Sequence, residues 1–280
     1  MRGADWIQIL VSLYFAALAW VRPLPSHRRT KVTAIAVFTL FVTGFCAFGL
    51  PRLMPPLSAS VTRDWIPAVL VLLVYWEAGA FFVRVDQGFQ NRLEHFDERH
   101  VAPFLRWMAH SRFGSAIGVY LECAYLLCYP MIPMCLGALY VLHLGRHADR
   151  FWIVVLISTY GSYAVLPFLQ ALPPRMLKEE WYAPLPFNPV RRFNLWILSH
   201  ASIHANTFPS AHVAASVSAA LIILQLAPWH VALLFAVIAI GIAVGTFAGR
   251  YHYCADSIAG AALATVVFLI ETLVSGGLQK

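Results

Sequence analysis

Phe208-Pro209-Ser210-Ala211-His212 opens one apolar run, and Arg250-Tyr251-His252-Tyr253-Cys254-Ala255-Asp256 opens another. Each stretch stands where polar sequence gives way to a helix that is apolar for most of its length, so the reactive side chains sit at helix mouths. His252 and Asp256 are four apart, which on a helix puts them one turn apart on one face, within hydrogen-bonding reach. A carboxylate so placed holds an imidazole in one tautomer and leaves its far nitrogen basic, the logic of a triad without the serine. His212 adds a second imidazole beside the Ser210 hydroxyl at an expected helix start, where exposed N–H groups and the positive dipole end attract anions. Two histidines, an orienting aspartate, a helix N-terminus and an arginine suggest phosphoryl transfer.

Composition places these stretches in a membrane. The chain has 280 residues, 60% hydrophobic and only 12% charged, far from the globular norm. A polytopic all-α integral membrane protein is expected. Apolar runs fall at 5–21, 32–50, 65–83, 114–144, 151–172, 212–228, 229–248 and 252–275, about eight transmembrane helices at roughly 20 residues per crossing. The fourth is long and carries Pro130 and Pro133, which predict a kink or tilt. Trp20-Val21-Arg22-Pro23 offers no small-x-small cleavage site, so the first run reads as an uncleaved helix. Between the third and fourth runs, residues 84–112 are mixed in charge, with Phe89, Leu93, Phe96, Val101, Phe104, Leu105 and Trp107 at spacings of three and four. That pattern predicts an interfacial helix. Cysteines 46, 123, 128, 135 and 254 have neither metal-ligand nor disulfide-framework spacing and read as packing residues. The net charge of +7 suits anionic lipid headgroups or simply sets topology, and no basic run interleaved with aromatics points to nucleic acid.

At the two opening stretches the sequence resembles the type 2 phosphatidic acid phosphatase superfamily, which includes lipid phosphatases, lipid phosphotransferases and vanadium haloperoxidases. That family is marked by Pro-Ser-Gly-His and by Ser-Arg, five residues, His, three residues, Asp. Here the first motif reads Pro209-Ser210-Ala211-His212, and the second keeps the His252-to-Asp256 spacing and a trailing Gly260. The resemblance covers roughly 65–275. It implies a six-helix lipid phosphatase-like core at 65–280, with 1–64 as two additional N-terminal transmembrane helices and 84–112 as an interfacial segment. Arg250 stands two residues before the histidine, where the family places its arginine six before, at the position of Thr246. Arg-x-His-Tyr-x-x-Asp is similar to the branch containing fungal inositol phosphorylceramide synthases.

The resemblance also implies roles. His252 would attack phosphorus to give a phosphohistidine, Asp256 would orient it, and His212 would protonate the leaving alcohol and then activate water or an acceptor hydroxyl. Arg175, Arg250, Ser210 and the Ala211 amide would hold the non-bridging oxygens. Gly249 would free the backbone to turn the Arg250 guanidinium inward. The family's first-motif lysine has no counterpart, since Phe168 occupies its place, and Lys178 is the candidate substitute. No metal or other cofactor is implied. His200 and His204 also stand four apart, a spacing that can ligate a metal on a helix, but with Ser199, Ser202 and Asn206 around them they read instead as groups capping the loop into the site. Glu77 and Glu122 lie inside expected spans, roughly 9–12 Å below the motif surface, and either line a substrate cavity with Asn206 or bond to a neighbouring helix.

With eight crossings, both chain ends fall on one face and every motif residue on the other. Fourteen of the 20 basic residues lie on the motif face, which favours a cytoplasmic site. The family resemblance implies an extracytoplasmic one, so the two lines of evidence point opposite ways. The function expected is transfer of a phosphoryl group from a lipid phosphate within the bilayer to water. The alternatives are transfer of a phospho-headgroup to an alcohol such as inositol, action on a polyprenyl diphosphate, and a non-catalytic transporter or structural protein.

Overall fold

A computed structural model of the chain describes residues 1–177 and 188–277. Those residues form α1 (Gly3–Val21), α2 (Ser26–Gly44), α3 (Leu50–Leu53), α4 (Pro56–Trp65), α5 (Pro67–Gly79), α6 (Gln87–His100), α7 (Ala102–His110), α8 (Gly114–Leu126), α9 (Met131–Val141), α10 (Ala148–Val165), α11 (Pro189–Ala201), α12 (Ala211–Leu226), α13 (Trp229–Ala248) and α14 (Cys254–Gly277). Among the described residues, β pairing is limited to one antiparallel bridge, Ala171 with Asn206. The fold is all-α.

Each of the eight apolar runs contains helix. Five helical stretches are long and apolar enough to cross a membrane, and a sixth counts if α8 and α9, bent by 71° at their junction, form one span. The bend falls just before Met131, where Pro130 cannot supply the N–H that a continuous helix needs and Pro133 follows. The other two runs map to α10, which carries Asp149 and Arg150 in its first turn, and to α12, only 16 residues long. Large apolar side chains such as Trp20, Phe41, Val141, Ile240 and Leu273 are exposed on the outside of the bundle. Such a surface suits hydrocarbon and not water. The protein is a multi-pass integral membrane protein.

Two expectations change in detail. The run at 151–172 ends its helix at Val165, two residues before Pro167. Its remainder passes through a turn and a bend at 166–169, and the bridge at Ala171 then seats it beside Asn206, whose N–H donates to the Ala171 carbonyl at 2.8 Å. The segment 84–112 forms two helices instead of one, divided at Val101 with Pro103 in the first turn of α7.

Side chains tie the two ends of the bundle into separate layers. Arg2 pairs with Asp64, Arg63 with Asp5, and Arg150 with Glu271 at 2.7 Å, while the Gly3 and Ala4 N–H groups donate to Asp149. At the other end, Arg28 donates to the Phe82 carbonyl at 2.6 Å, and Arg22 to that of Pro167. The openings of α12 and α14 lie at this second end, as the chain order requires.

Candidate active site

The sequence between α13 and α14 fixes the first reactive group. α13 stops at Gly249, where a Cβ would fall 2.3 Å from the Tyr251 ring and 3.0 Å from the Gly245 carbonyl. The left-handed residue is Arg250, with φ 61°, and not Gly249, which keeps an ordinary φ of −75°. The Tyr251 and His252 N–H groups then both donate to the Thr246 carbonyl, at 3.0 and 3.1 Å. α14 begins only at Cys254, because Asp256 reaches back to accept the Tyr253 N–H at 2.9 Å and so caps the helix. His252 therefore precedes the helix instead of lying on it. Its Nδ1 still faces Asp256 Oδ2 at 3.4 Å, although the alignment is not that of a hydrogen bond.

α12 begins beside this loop. Ser210 is its N-cap, and its Oγ accepts from the Val213 N–H at 3.5 Å. The Ser210 N–H donates to the Asp256 carbonyl at 2.9 Å, which locks the two motif stretches together through backbone. Gly260 permits that approach, since a Cβ there would lie 2.6 Å from the Ser210 carbonyl oxygen. The result is that the His212 and His252 rings meet edge to face, with centroids 5.8 Å apart.

Arg175 closes the third side. Its N–H donates to the Arg250 carbonyl at 2.9 Å, and its guanidinium donates to the Tyr251 carbonyl at 3.2 Å and to Ser202 Oγ at 3.0 Å. Arg175, Ala211, His212 and His252 share a small polar cavity with Tyr75, Tyr125, Tyr163, Ser202 and Thr207. Burial and the neighbouring Arg175 guanidinium hold the His252 imidazole far below its usual range, to about 3, so it is neutral near pH 7. The polar cavity shares Tyr75, Tyr163, Leu198, Ser202 and His212 with an apolar cavity of about 300 Å³, which Leu72, Trp76 and Ile197 also line.

Several candidates stand elsewhere. Arg250 does not line the cavity: it is 1% exposed, and its guanidinium pairs with the Asp97 carboxylate of α6. The Ser210 hydroxyl is engaged in capping α12, so the backbone at Ala211 is what this turn presents to the cavity. Glu122 lies outside the cavity lining and binds Arg191 at 2.6 Å, Asn194 at 2.8 Å and the Tyr251 hydroxyl. Glu77 is buried on α5 near Tyr160 and lines neither cavity. Asn206 is buried beside Asp256 and does not line the cavity. Lys178 lies outside the described residues. His204 falls past the end of α11 with φ 55°, which removes the helical relation to His200.

The sequence reading missed the three tyrosines and Asp97. Tyrosines in apolar spans carry no periodic signal of their own. Asp97 does have one, because Phe89, Leu93 and Asp97 recur at four-residue spacing, and all three are buried on one stripe of α6.

Residues 91–270, well over half of the chain, match the family model described as the PAP2 superfamily. Neither the curated proteins nor the solved structures give a match. The matched stretch contains α12, most of α14, Arg175 and both histidines. The chain belongs to the type 2 phosphatidic acid phosphatase superfamily.

Proposed function

We propose that this protein transfers a phosphoryl group from a lipid phosphate to water through a covalent phosphohistidine on His252. The observation that carries this reading is the meeting of His252, His212 and Arg175 in one buried pocket whose wall continues into an apolar cavity. A soluble substrate has no use for such a cavity, whereas a lipid phosphate places its headgroup in one part and the start of its hydrocarbon in the other.

In this scheme Asp256 steadies Nδ1 of His252, and the neutral Nε2 lone pair attacks phosphorus. The bond from phosphorus to the lipid oxygen breaks, and His212 gives that oxygen a proton. His212 then takes a proton from water as the water oxygen attacks the phosphohistidine, releasing phosphate and restoring His252. Arg175 and the amides at the start of α12 hold the non-bridging oxygens, a role that suits a guanidinium fork and a helix N-terminus. The polar cavity has about 20 Å³, room for roughly one water molecule. A phosphoryl group enters with movement of the side chains around it. Residues 65–280 form the catalytic core in this proposal, with 1–64 placed in front.

The test is phosphate release by purified protein in detergent from phosphatidic acid, lysophosphatidic acid, ceramide phosphate and undecaprenyl diphosphate, for wild type and His252→Ala. Release by the wild type alone supports the proposal. Release only after an alcohol such as inositol is added, with a new lipid product, reassigns the protein to phosphotransfer. Equal release by His252→Ala removes the histidine mechanism.

A further inference from the structure

We propose that Asp97, on α6, is a positioning residue that fixes the His252 loop from both sides; this rests on the assignment of His252 as nucleophile. One Asp97 oxygen pairs with the guanidinium of Arg250, and the other accepts the Cys254 N–H at 3.0 Å. The two partners stand two residues before and two residues after His252. A single carboxylate, itself fully buried, thus pins both ends of the five-residue turn that presents the imidazole.

Two further contacts extend the grip. Arg250 holds a left-handed backbone, which is unfavourable for a non-glycine residue and persists only when its surroundings over-determine it. Its carbonyl accepts the Arg175 N–H at 2.9 Å, so the arginine proposed to grip phosphate hangs from the same anchor. Two turns earlier on α6, Gln90 donates to the Tyr253 hydroxyl and accepts the Leu172 N–H at 2.8 Å. α6 therefore holds the segment leading to Arg175 and the segment carrying His252 at a fixed separation. Arg250 is accordingly a strut between Asp97 and the loop, and not a phosphate ligand. That role accounts for an arginine placed two residues before the histidine: at this spacing it reaches α6.

Asp97→Asn alone removes the carboxylate that faces the buried Arg250 guanidinium, so the paired variant Asp97→Asn/Arg250→Gln carries the test, with Asp97→Glu as the conservative change. Two readouts are taken on intact protein in detergent. One is kcat against KM for lipid phosphate hydrolysis. The other is the rate at which diethyl pyrocarbonate modifies His252 relative to His212, followed by peptide mass spectrometry. For the paired variant the expectation is a fall in kcat on the order of 10²-fold with KM within about threefold of wild type, since misplacing a reacting group by about 1 Å has that effect. The His252-to-His212 modification ratio rises several-fold, by roughly the loss of ordering at the turn. Asp97→Glu falls between the paired variant and wild type. A paired variant with wild-type kcat and a wild-type ratio overturns the proposal. If the wild type hydrolyses no lipid in the panel yet the ratio still rises, the positioning role stands and the lipid phosphatase reading falls.

Discussion

Gly260→Ala asks whether the distance between α12 and α14 sets the reaction rate. The added Cβ would meet the Ser210 carbonyl oxygen at 2.6 Å, the Ala214 nitrogen at 3.3 Å and Val213 Cβ at 3.3 Å. The two nearest atoms belong to backbone, so no rotamer change relieves them. Restoring an ordinary contact of 3.4 Å requires the helices to part by about 0.8 Å, the difference between that contact and 2.6 Å. The same movement strains the bond from the Ser210 N–H to the Asp256 carbonyl, 2.9 Å long, which joins the two reactive stretches. Overpacking of this kind costs about 1–3 kcal/mol in stability. A displacement close to 1 Å between His212 and His252 is expected to lower kcat by on the order of 10²-fold. Steady-state phosphate release by the purified variant measures it, with thermal melting in detergent as the check on folding. Gly118→Ala and Gly276→Ala are the controls, since a Cβ at either position meets nothing within 4 Å. Gly260→Ala with kcat within about threefold of wild type would refute the idea that this close approach aligns the site.

Glu122→Gln removes a carboxylate 2.6 Å from the buried Arg191 guanidinium, and melting should show a loss of about 3–5 kcal/mol; an unchanged melting temperature would mean that the pair contributes little. Asp97 also predicts a pH effect. Burial pushes its carboxyl up to about 6, with Asp256 raising it further, while Arg250 and the Cys254 N–H pull it back. Because the folded value lies above the ordinary one, folded protein holds a proton between about pH 4 and 6 that unfolded chain has lost. This group's contribution to stability thus falls as pH rises through that window. Activity runs the other way: protonation below about pH 6 removes the anchor of Arg250, so kcat shows an acid limb there. Asp97→Asn/Arg250→Gln on the same substrate should lose that limb, and its persistence would assign the limb to another group. Arg175→Lys replaces a fork bonded to both Tyr251 and Ser202 with a single ammonium, so kcat/KM should drop by at least about tenfold, and wild-type values would remove Arg175 from phosphate binding.

The helical layout was legible because apolar runs of membrane length carry their own signal, and Pro130 marks the bend between α8 and α9 in the sequence itself. The approach of His212 to His252 was legible for a different reason. Both lie at the mouths of helices that alternate in direction, so chain order alone returns them to one end of the bundle. The pairing of Arg250 with Asp97 was not legible because the two are 153 residues apart. Glu122 shows the same limit, since its partners Arg191, Asn194 and Tyr251 lie 69, 72 and 129 residues away. The start of α14 was also read too early. Four-residue spacing from His252 to Asp256 fits a helix, yet the Asp256 side chain caps Tyr253 and leaves His252 outside. Sequence spacing gave the right pair with the wrong backbone between them.

The covalent intermediate is the direct test. Wild type, His252→Ala and His212→Ala are mixed with phosphate-labelled phosphatidic acid and quenched in alkali, which preserves phosphohistidine, and the labelled peptide is mapped. Label on the peptide containing His252 in wild type, none in His252→Ala, and slower release of label in His212→Ala are the predicted results. Label on any other residue, or phosphate release by His252→Ala at the wild-type rate, would contradict the assignment of His252 as nucleophile.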